Sequence, residues 1–459
     1  MTSKAALLQL IAKSEINNYL NTNDIKNSLF KNQIKPVTNF SESSFSIYPE
    51  NSGSWGDTIT FKISKYGDLL TNIYLVLELP ELSVEDIDGL NENIRSSQYR
   101  IRWNEYIGNV LINKVILRIG GKKIDEQTGE FLQFFTDIYD KTWSKICMLG
   151  NDRSMILPNT KINKQYIYIP LKFFFNIDIS KSLPIYALYN HEIEIEIQLN
   201  SWDNCYFVLH EVTNEISDTE NKTSKIHFAH TDKVIIKKNF SNIRLDCNYI
   251  FLDNNERKYI LENEHKILIT QVQYLENNIN NNCQIKMDFN NPIKEFFFAI
   301  QKNENRILNE VFNFSGKSQY LPINTTTFTE RLWEQIPKTH LLKEAALYFD
   351  HNERIPYKDY KYWHYVQNYE HYRNTLEHNI YMYSFGILPR DNMGSCNFSE
   401  LENVYLNIKL ENSSTEYIHY TDNNTIAIGP ENNTIIKIYA INYNIFNIDS
   451  GISRLMFPY

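Results

Sequence analysis

The chain has 459 residues, a formal charge of −9 and a pI near 5.7, so a nucleic-acid coat with a net basic face is not expected. Its five cysteines (Cys147, Cys205, Cys247, Cys283, Cys396) are far apart and contain no C-x-x-C pair, which argues against a disulfide framework and a zinc site and reads as buried thiols in a reducing compartment. No apolar run reaches the length of a membrane span, the N-terminus lacks a secretory apolar core, and the length suits two domains that each bury a core.

Leu7, Leu8, Ile11, Ile16, Tyr19 and Leu20 recur at near-helical spacing and predict an amphipathic N-terminal arm over Ala5–Leu20. Such an arm either packs on its own domain or meets a partner or membrane surface. From about Phe45 the pattern turns to strands, with "SWGDTITFKIS" and "LLTNIYLVLELP" as β-branched and aromatic runs bounded by Gly, Asp and Pro.

The stretch "VILRIGGKKIDEQTGEFLQFF" places Gly120, Gly121 and two lysines after an apolar run. A phosphate loop needs G-x-x-x-x-G-K-[ST] with its last glycine and lysine opening a helix, and that spacing is missing. Two glycines between short β-like runs instead suit a tight hairpin whose central residues both take φ > 0. Thr128 then caps a helix, with Glu130 at its positive end, and the helical pattern runs over Glu130–Met148.

"HEIEIEIQL" alternates strictly, with Ile193, Ile195, Ile197 and Leu199 on one face and Glu192, Glu194, Glu196 and Gln198 on the other, which predicts a half-buried strand. The three glutamates read as a solvated or interface face, because same-side strand positions run parallel and do not converge as a carboxylate site requires. The polar, helix-like "DNNERKYILENEH" marks the boundary between two β-rich halves, and "ILITQVQYL" opens the second. There "CQIKMDF", "KEFFFAIQ", "YMYSFGIL", "NVYLNIKL" and "TIIKIYAINYNIF" read as strands, with short helices expected near Asn255–Glu264 and over Leu341–Phe349. Few helices and no βαβ rhythm point to an all-β protein built of sandwiches.

The densest constellation is His351–His378, "HNERIPYKDYKYWHYVQNYEHYRNTLEH". Interspersed acids cancel its basic residues, which disfavours nucleic acid. His364, His371 and His378 stand seven apart, which fits no helical metal pair. Tyr360, Tyr362, Trp363, Tyr365, Tyr369 and Tyr372 are therefore read as candidate subunit-interface aromatics. No nucleophile elbow, catalytic set, cofactor motif or metal cluster is assigned.

These runs, in this order, resemble the major capsid proteins of the nucleocytoplasmic large DNA viruses, the iridovirus, phycodnavirus and mimivirus group. The resemblance spans nearly the whole chain. It is carried by "PVTNFSESS", "GDLLTNIYLVLELP", "VILRIGGKKIDEQTGEFL", "YIPLKFFFNIDISKSLPIYALYNHEIEIEI", "NYIFLDNNERKYILENEHKILITQVQ", "YMYSFGILPRDNMGSCNFSELENVYLNI" and "YAINYNIFNIDSGISRLMF". It implies a tandem double jelly roll, with an arm over 1–30, a first jelly roll over 31–255 and a second over 256–459. It further implies a structural, non-enzymatic protein of the virion that forms homotrimers, tiles beside neighbouring capsomers, meets minor capsid proteins and assembles in the host cytoplasm. Contact of the N-terminal arm with an internal viral membrane is a further expectation, and no direct nucleic-acid partner is implied. Lys35-Pro36-Val37, Gly386 and Met393 depart from the usual pattern and leave a minor or paralogous capsid protein, or a membrane scaffold of the same fold, as alternatives. A glycan-binding β-sandwich is the alternative from another class. The polar stretches "NEISDTENKTSK" and "YTDNNTIAIGPENN" are candidates for outward loops.

Overall fold

The computed structural model describes residues 4–12, 15, 24, 36–88, 99–215, 223–229, 235–307, 309–316, 339–387, 394–411, 417–420, 425–428 and 434–457. The chain divides into two units, Met1–Phe40, which holds helix α1 (Lys4–Ile11), and Ser41–Tyr459, which holds two β-sandwiches. Most of the expected arm beyond Ile11, and much of the two candidate outward loops, lie outside the described residues.

The first sandwich uses eight strands: β1 Phe40–Ile47, β2 Thr58–Lys62, β3 Leu69–Leu79, β4 Ile112–Ile119, β5 Lys122–Thr128, β6 Gln165–Pro170, β7 Ile193–Leu199 and β8 Ser241–Leu252. They pair as two sheets, β1-β8-β3-β6 and β2-β7-β4-β5. The second uses β9 His265–Ile279, β10 Asn282–Lys286, β11 Pro292–Lys302, β12 Leu342–Phe349, β13 Asn352–Asp359, β14 Ile380–Ser384, β15 Val404–Leu410 and β16 Thr434–Asp449, paired as β9-β16-β11-β14 and β10-β15-β12-β13. Adding eight to each label of the first pair of sheets gives the second pair. This is a tandem double jelly roll, and a topology that repeats without close sequence repetition reflects a shared patterning of strands. Among the described residues no sheet mixes strands from the two halves.

Local chemistry accounts for many of these elements. The alternation in β7 buries Ile193, Ile195, Ile197 and Leu199, while Glu194 and Glu196 keep partial exposure. β4 and β5 join through Gly120 and Gly121, whose φ values of 58° and 74° are the left-handed pair a two-residue hairpin uses, with Ile119 opposite Lys122. Thr128 then caps helix α2 (Gly129–Tyr139), its hydroxyl accepting from the Phe131 N–H at 3.2 Å. The helical pattern expected over Glu130–Met148 breaks at Asp140–Thr142 and resumes as α3 (Trp143–Met148).

One expectation is corrected, and one helix is present that was not expected. Leu342–Phe349 forms strand β12, not a helix: the "EAAL" propensity loses to a ladder with β15 on one side and β13 on the other, which buries Leu342, Ala345 and Leu347 in a core. Residues 360–372, whose histidine spacing fits no helical metal pair and for which no helix is expected, are helical, with π-wound turns at Tyr362–Val366 and Asn368–Tyr372. A period stretched to i→i+5 hides from a 3.6-residue reading.

Between the halves, α4 (Asn254–Glu262) forms the connection, and Arg257 clamps it to the first sandwich by two bonds to buried Asp68, at 2.8 and 2.9 Å.

Candidate functional site

The surface of interest is where the two sandwiches meet, together with the aromatic helix beside it. β11 explains why they meet. In "PIKEFFFAIQK", Phe296, Phe298 and Ile300 join the core of the second sandwich, while Phe297 and Ala299 point the other way and join the core cluster of the first. β16 divides likewise, Ile436, Ile438 and Ala440 inward against Tyr439 and Ile441 outward. A strand buried on both faces loses its polar alternation, which is what "FFFAI" and "IIKIYAI" display.

Helix α2 covers that outward face. Phe131 and Phe134 pack on Tyr439 with ring centroids 5.9 and 5.4 Å apart, and Tyr139 meets Tyr372 at 5.5 Å and Phe297 at 6.5 Å. The hairpin after Gly121 closes one edge: Asp125 accepts from the Val272 N–H of β9 at 2.9 Å, and Gln271 donates to the Ile124 carbonyl. An otherwise open sheet edge is thereby occupied.

Several carboxylates in the seam are paired, although Asp137 Oδ1 is buried without a hydrogen-bond partner among the described residues. Glu295, fully buried on β11, accepts from both Tyr139 and Tyr372 hydroxyls and lies 3.3 Å from the Lys294 ammonium. Asp137 receives the His378 ring Nδ1 at 2.6 Å and its backbone N–H at 3.1 Å. Glu377 accepts from Tyr106 and lies 3.1 Å from Lys141, and Glu130 accepts from Lys437 and, at 3.1 Å, from Tyr439. Burial alone raises a carboxyl, yet the facing imidazole of His378 holds Asp137 below its ordinary range, and His378, Tyr106 and Lys141 do the same for Glu377. Asp125, whose hydrogen bonds come from uncharged donors, is pushed by burial to about 6. Burial and Lys172 together bring Lys145 down to about 8.

The six aromatics of the helical stretch divide between inside and outside. Trp363 is fully buried against Phe298 at 5.8 Å, and Tyr372 is spent on Glu295 and Tyr139. Tyr360 stacks on His340 at 4.2 Å, and half-buried Tyr362 lies edge-on to Trp363. Only Tyr365 and Tyr369, with Val366, turn outward, at 53, 78 and 39 % exposure. The three histidines diverge, His364 bonding the Ile380 carbonyl, His371 the Ile387 carbonyl and His378 Asp137. Among the described residues no group of His, Cys, Asp and Glu could hold a metal.

Other candidates are likewise placed. Glu196 pairs with Arg118 at 2.7 Å and Glu192 with Lys62, so the glutamate face of β7 is tied to neighbouring strands. A cavity of about 240 Å³ is lined by Trp55, Trp202, Asp88 and Asp203 among others. Its indoles are 4 and 3 % exposed and their N–H groups go to backbone carbonyls of Lys238 and Ile235, so no open ring face is offered to a sugar. Of the seam carboxylates the sequence points to Glu130 alone, as the acid at a helix start, and not to Asp137, Glu295 or Glu377. Their signal was a charged residue embedded in an apolar run, as in "IKEFFFAI".

Two family models divide the chain between them: residues 28–253 match the major capsid protein N-terminus, and residues 256–453 match the large eukaryotic DNA virus major capsid protein. The chain belongs to the major capsid protein family of the large eukaryotic DNA viruses. Its relatives include the major capsid protein of Phaeocystis pouchetii virus, 23 % identical with 98 % of this chain and 99 % of that protein covered. Probable capsid protein 4 of Acanthamoeba polyphaga mimivirus is 25 % identical, with 98 % of each covered. Among solved structures, PBCV-1 VP54, fitted into a reconstruction of the Sputnik virophage, superposes with a TM-score of 0.71 over 94 % of this chain and all of that one, at 20 % identity. The Faustovirus major capsid protein gives 0.68 over 97 % of this chain and 96 % of that one, at 12 % identity. These family members are structural proteins of virus capsids, and the double jelly roll is the fold they share with this chain.

Proposed function

We propose that this chain is a wall-forming capsid subunit: residues 31–255 and 256–459 act as two upright domains, three chains close into a ring of six sandwiches, and such rings tile an icosahedral shell. The observation that supports this is the duplicated strand order within one chain. Two domains of equal topology per subunit turn a threefold ring into a near-hexagon, and hexagons cover a flat facet. The role is structural and requires no cofactor. Assembly takes place in the host cytoplasm, beside minor capsid proteins that hold neighbouring rings together. Light scattering on the purified chain tests the reading: a particle of 3 × 54.4 = 163 kDa is expected, and a monomer at every concentration overturns it.

Helix α1 leaves Leu7, Leu8, Leu10 and Ile11 between 49 and 76 % exposed, which supports contact of the arm with the internal viral membrane. Flotation with anionic vesicles of the full chain against one lacking residues 1–12 tests this, and equal flotation overturns it. A minor or paralogous capsid role is favoured by one finding: the same mimivirus supplies both capsid protein 1 and probable capsid protein 4 as relatives. The copy number of the chain in purified virions separates that role from the principal one.

A further inference from the structure

Within one chain a sandwich-to-sandwich contact already exists, and the elements that make it recur by topology. α2 follows β5 and lays its aromatic side on the outward face of β9-β16-β11-β14. The helix over 360–372 follows β13, which holds the position of β5 in the second sandwich. Yet Tyr365, Val366 and Tyr369 on that helix face solvent. The sheet equivalent to the one α2 covers is β1-β8-β3-β6, and among the described residues no helix lies on its outward face, where Tyr48, Tyr166 and Tyr168 are 68, 48 and 37 % exposed. Trp363 and Tyr372 seat the helix on its own sandwich, so among the described residues one aromatic helix side and one tyrosine-bearing sheet face remain exposed in the same chain.

We infer that the 360–372 helix of one copy docks on the outward face of β1-β8-β3-β6 of a second copy, repeating between chains the contact α2 makes within one. This rests on the ring reading above and assigns the surfaces that close it. The contact joins two different faces, so it propagates head to tail; it closes when the within-chain and between-chain rotations are alike and three chains complete the turn. The chemistry of the two faces agrees. Tyrosine is enriched at subunit contacts because a rigid ring supplies area while its hydroxyl keeps a polar partner, as Tyr166 does with Asn242 at 2.8 Å. The sheet face carries Glu42, Glu78 and Asp246 against Arg244, and the helix is flanked by exposed Lys358, Lys361 and Arg373 against Asp359 and Glu370, so both faces are mixed in charge with a small basic excess on the helix and an acidic one on the sheet. The between-chain contact is thus more polar than the phenylalanine-lined seam within the chain, as suits a surface that must stay soluble until assembly.

The test places a photo-crosslinking benzoylphenylalanine at position 369 of the full chain and mixes it with an isotope-labelled copy. Cross-links from position 369 to peptides of the other copy that contain Tyr166 and Tyr168, or residues 241–249, are expected. A 163 kDa trimer whose cross-links lie elsewhere, or only within one chain, overturns the surface assignment and leaves the ring reading standing. Absence of any trimer overturns both. In parallel, Tyr365→Glu combined with Tyr369→Glu should raise the concentration needed for half-trimerisation at least tenfold with unchanged circular dichroism, because both side chains are exposed. Tyr259→Glu on α4, 62 % exposed, serves as the control without effect. Equal association of the double variant and the control overturns the proposal.

Discussion

The sheets β1-β8-β3-β6 and β9-β16-β11-β14 share one strand order and live in opposite surroundings. On β11 of the second, nearly every residue is buried, and its outward Phe297 is fully enclosed, with Tyr139 of α2 and Tyr372 against its ring. On β3 of the first, Tyr74 and Glu78 on the outward side remain partly exposed, and neighbouring Tyr166 and Tyr168 on β6 stand in solvent. Topology therefore does not decide what a face does. The alternate residues along each strand decide it, and a family of sandwiches can assign each copy a different neighbour by changing only those.

The comparison can be broken or sharpened by mutation. Phe297→Ala removes a fully buried ring from the seam and should cost about 3–5 kcal/mol in urea unfolding, because core aromatics lose both transfer energy and packing. A loss below about 1 kcal/mol would mean that the second sheet does not depend on the first sandwich. Asp137→Ala strips an acceptor from His378 and its backbone N–H, and about 3 kcal/mol is expected for breaking a buried polar set by removing one partner.

Asp125 sharpens the comparison through pH. Its folded-state pKa of about 6 exceeds the ordinary 3.8, so the unfolded chain releases this proton first as pH rises. Stability from this group is thus present below about pH 4 and lost between about pH 4 and 6, by at most roughly 3 kcal/mol. Asp125→Asn should remove that slope from a stability–pH curve. Asp137 and Glu377 act in the opposite sense, their contribution being kept above their ordinary carboxylate range and lost as the solution becomes more acid. An unchanged slope in the asparagine variant would show that the hairpin edge is not dry.

Gly121→Ala should cost about 1 kcal/mol, from its positive φ of 74° alone, since no atom lies within 4 Å of an added Cβ. Gly120→Ala should cost more in the same measurement, because its Cβ would meet the His191 ring at 2.6 Å. The smallest effect is expected for Tyr168→Ala on the open sheet, within about 0.5 kcal/mol for the isolated chain. Its consequence should appear in association instead.

Several elements were legible in the residues themselves. The glycine pair between two short β-like runs suits a tight turn at that spacing, Thr128 is a capping residue ahead of an apolar-periodic segment, and the strict alternation of 193–199 fixes which side of β7 is buried. The π-wound helix was not legible, because its period matches neither template. Nor was the division of the aromatic stretch, since Trp363 and Tyr365 look alike as letters while one is enclosed and the other exposed.

The sequence by itself determined strand from turn, the all-β class and the capsid resemblance, because these depend on neighbours along the chain and on the two-residue period of a pleated strand. Which face of each sheet is covered, which carboxylates pair across the seam and which tyrosines remain outside were decided only by the tertiary structure. Those properties depend on residues such as Asp137 and His378, or Glu130 and Lys437, which lie hundreds of positions apart and meet only when one sandwich packs on the other.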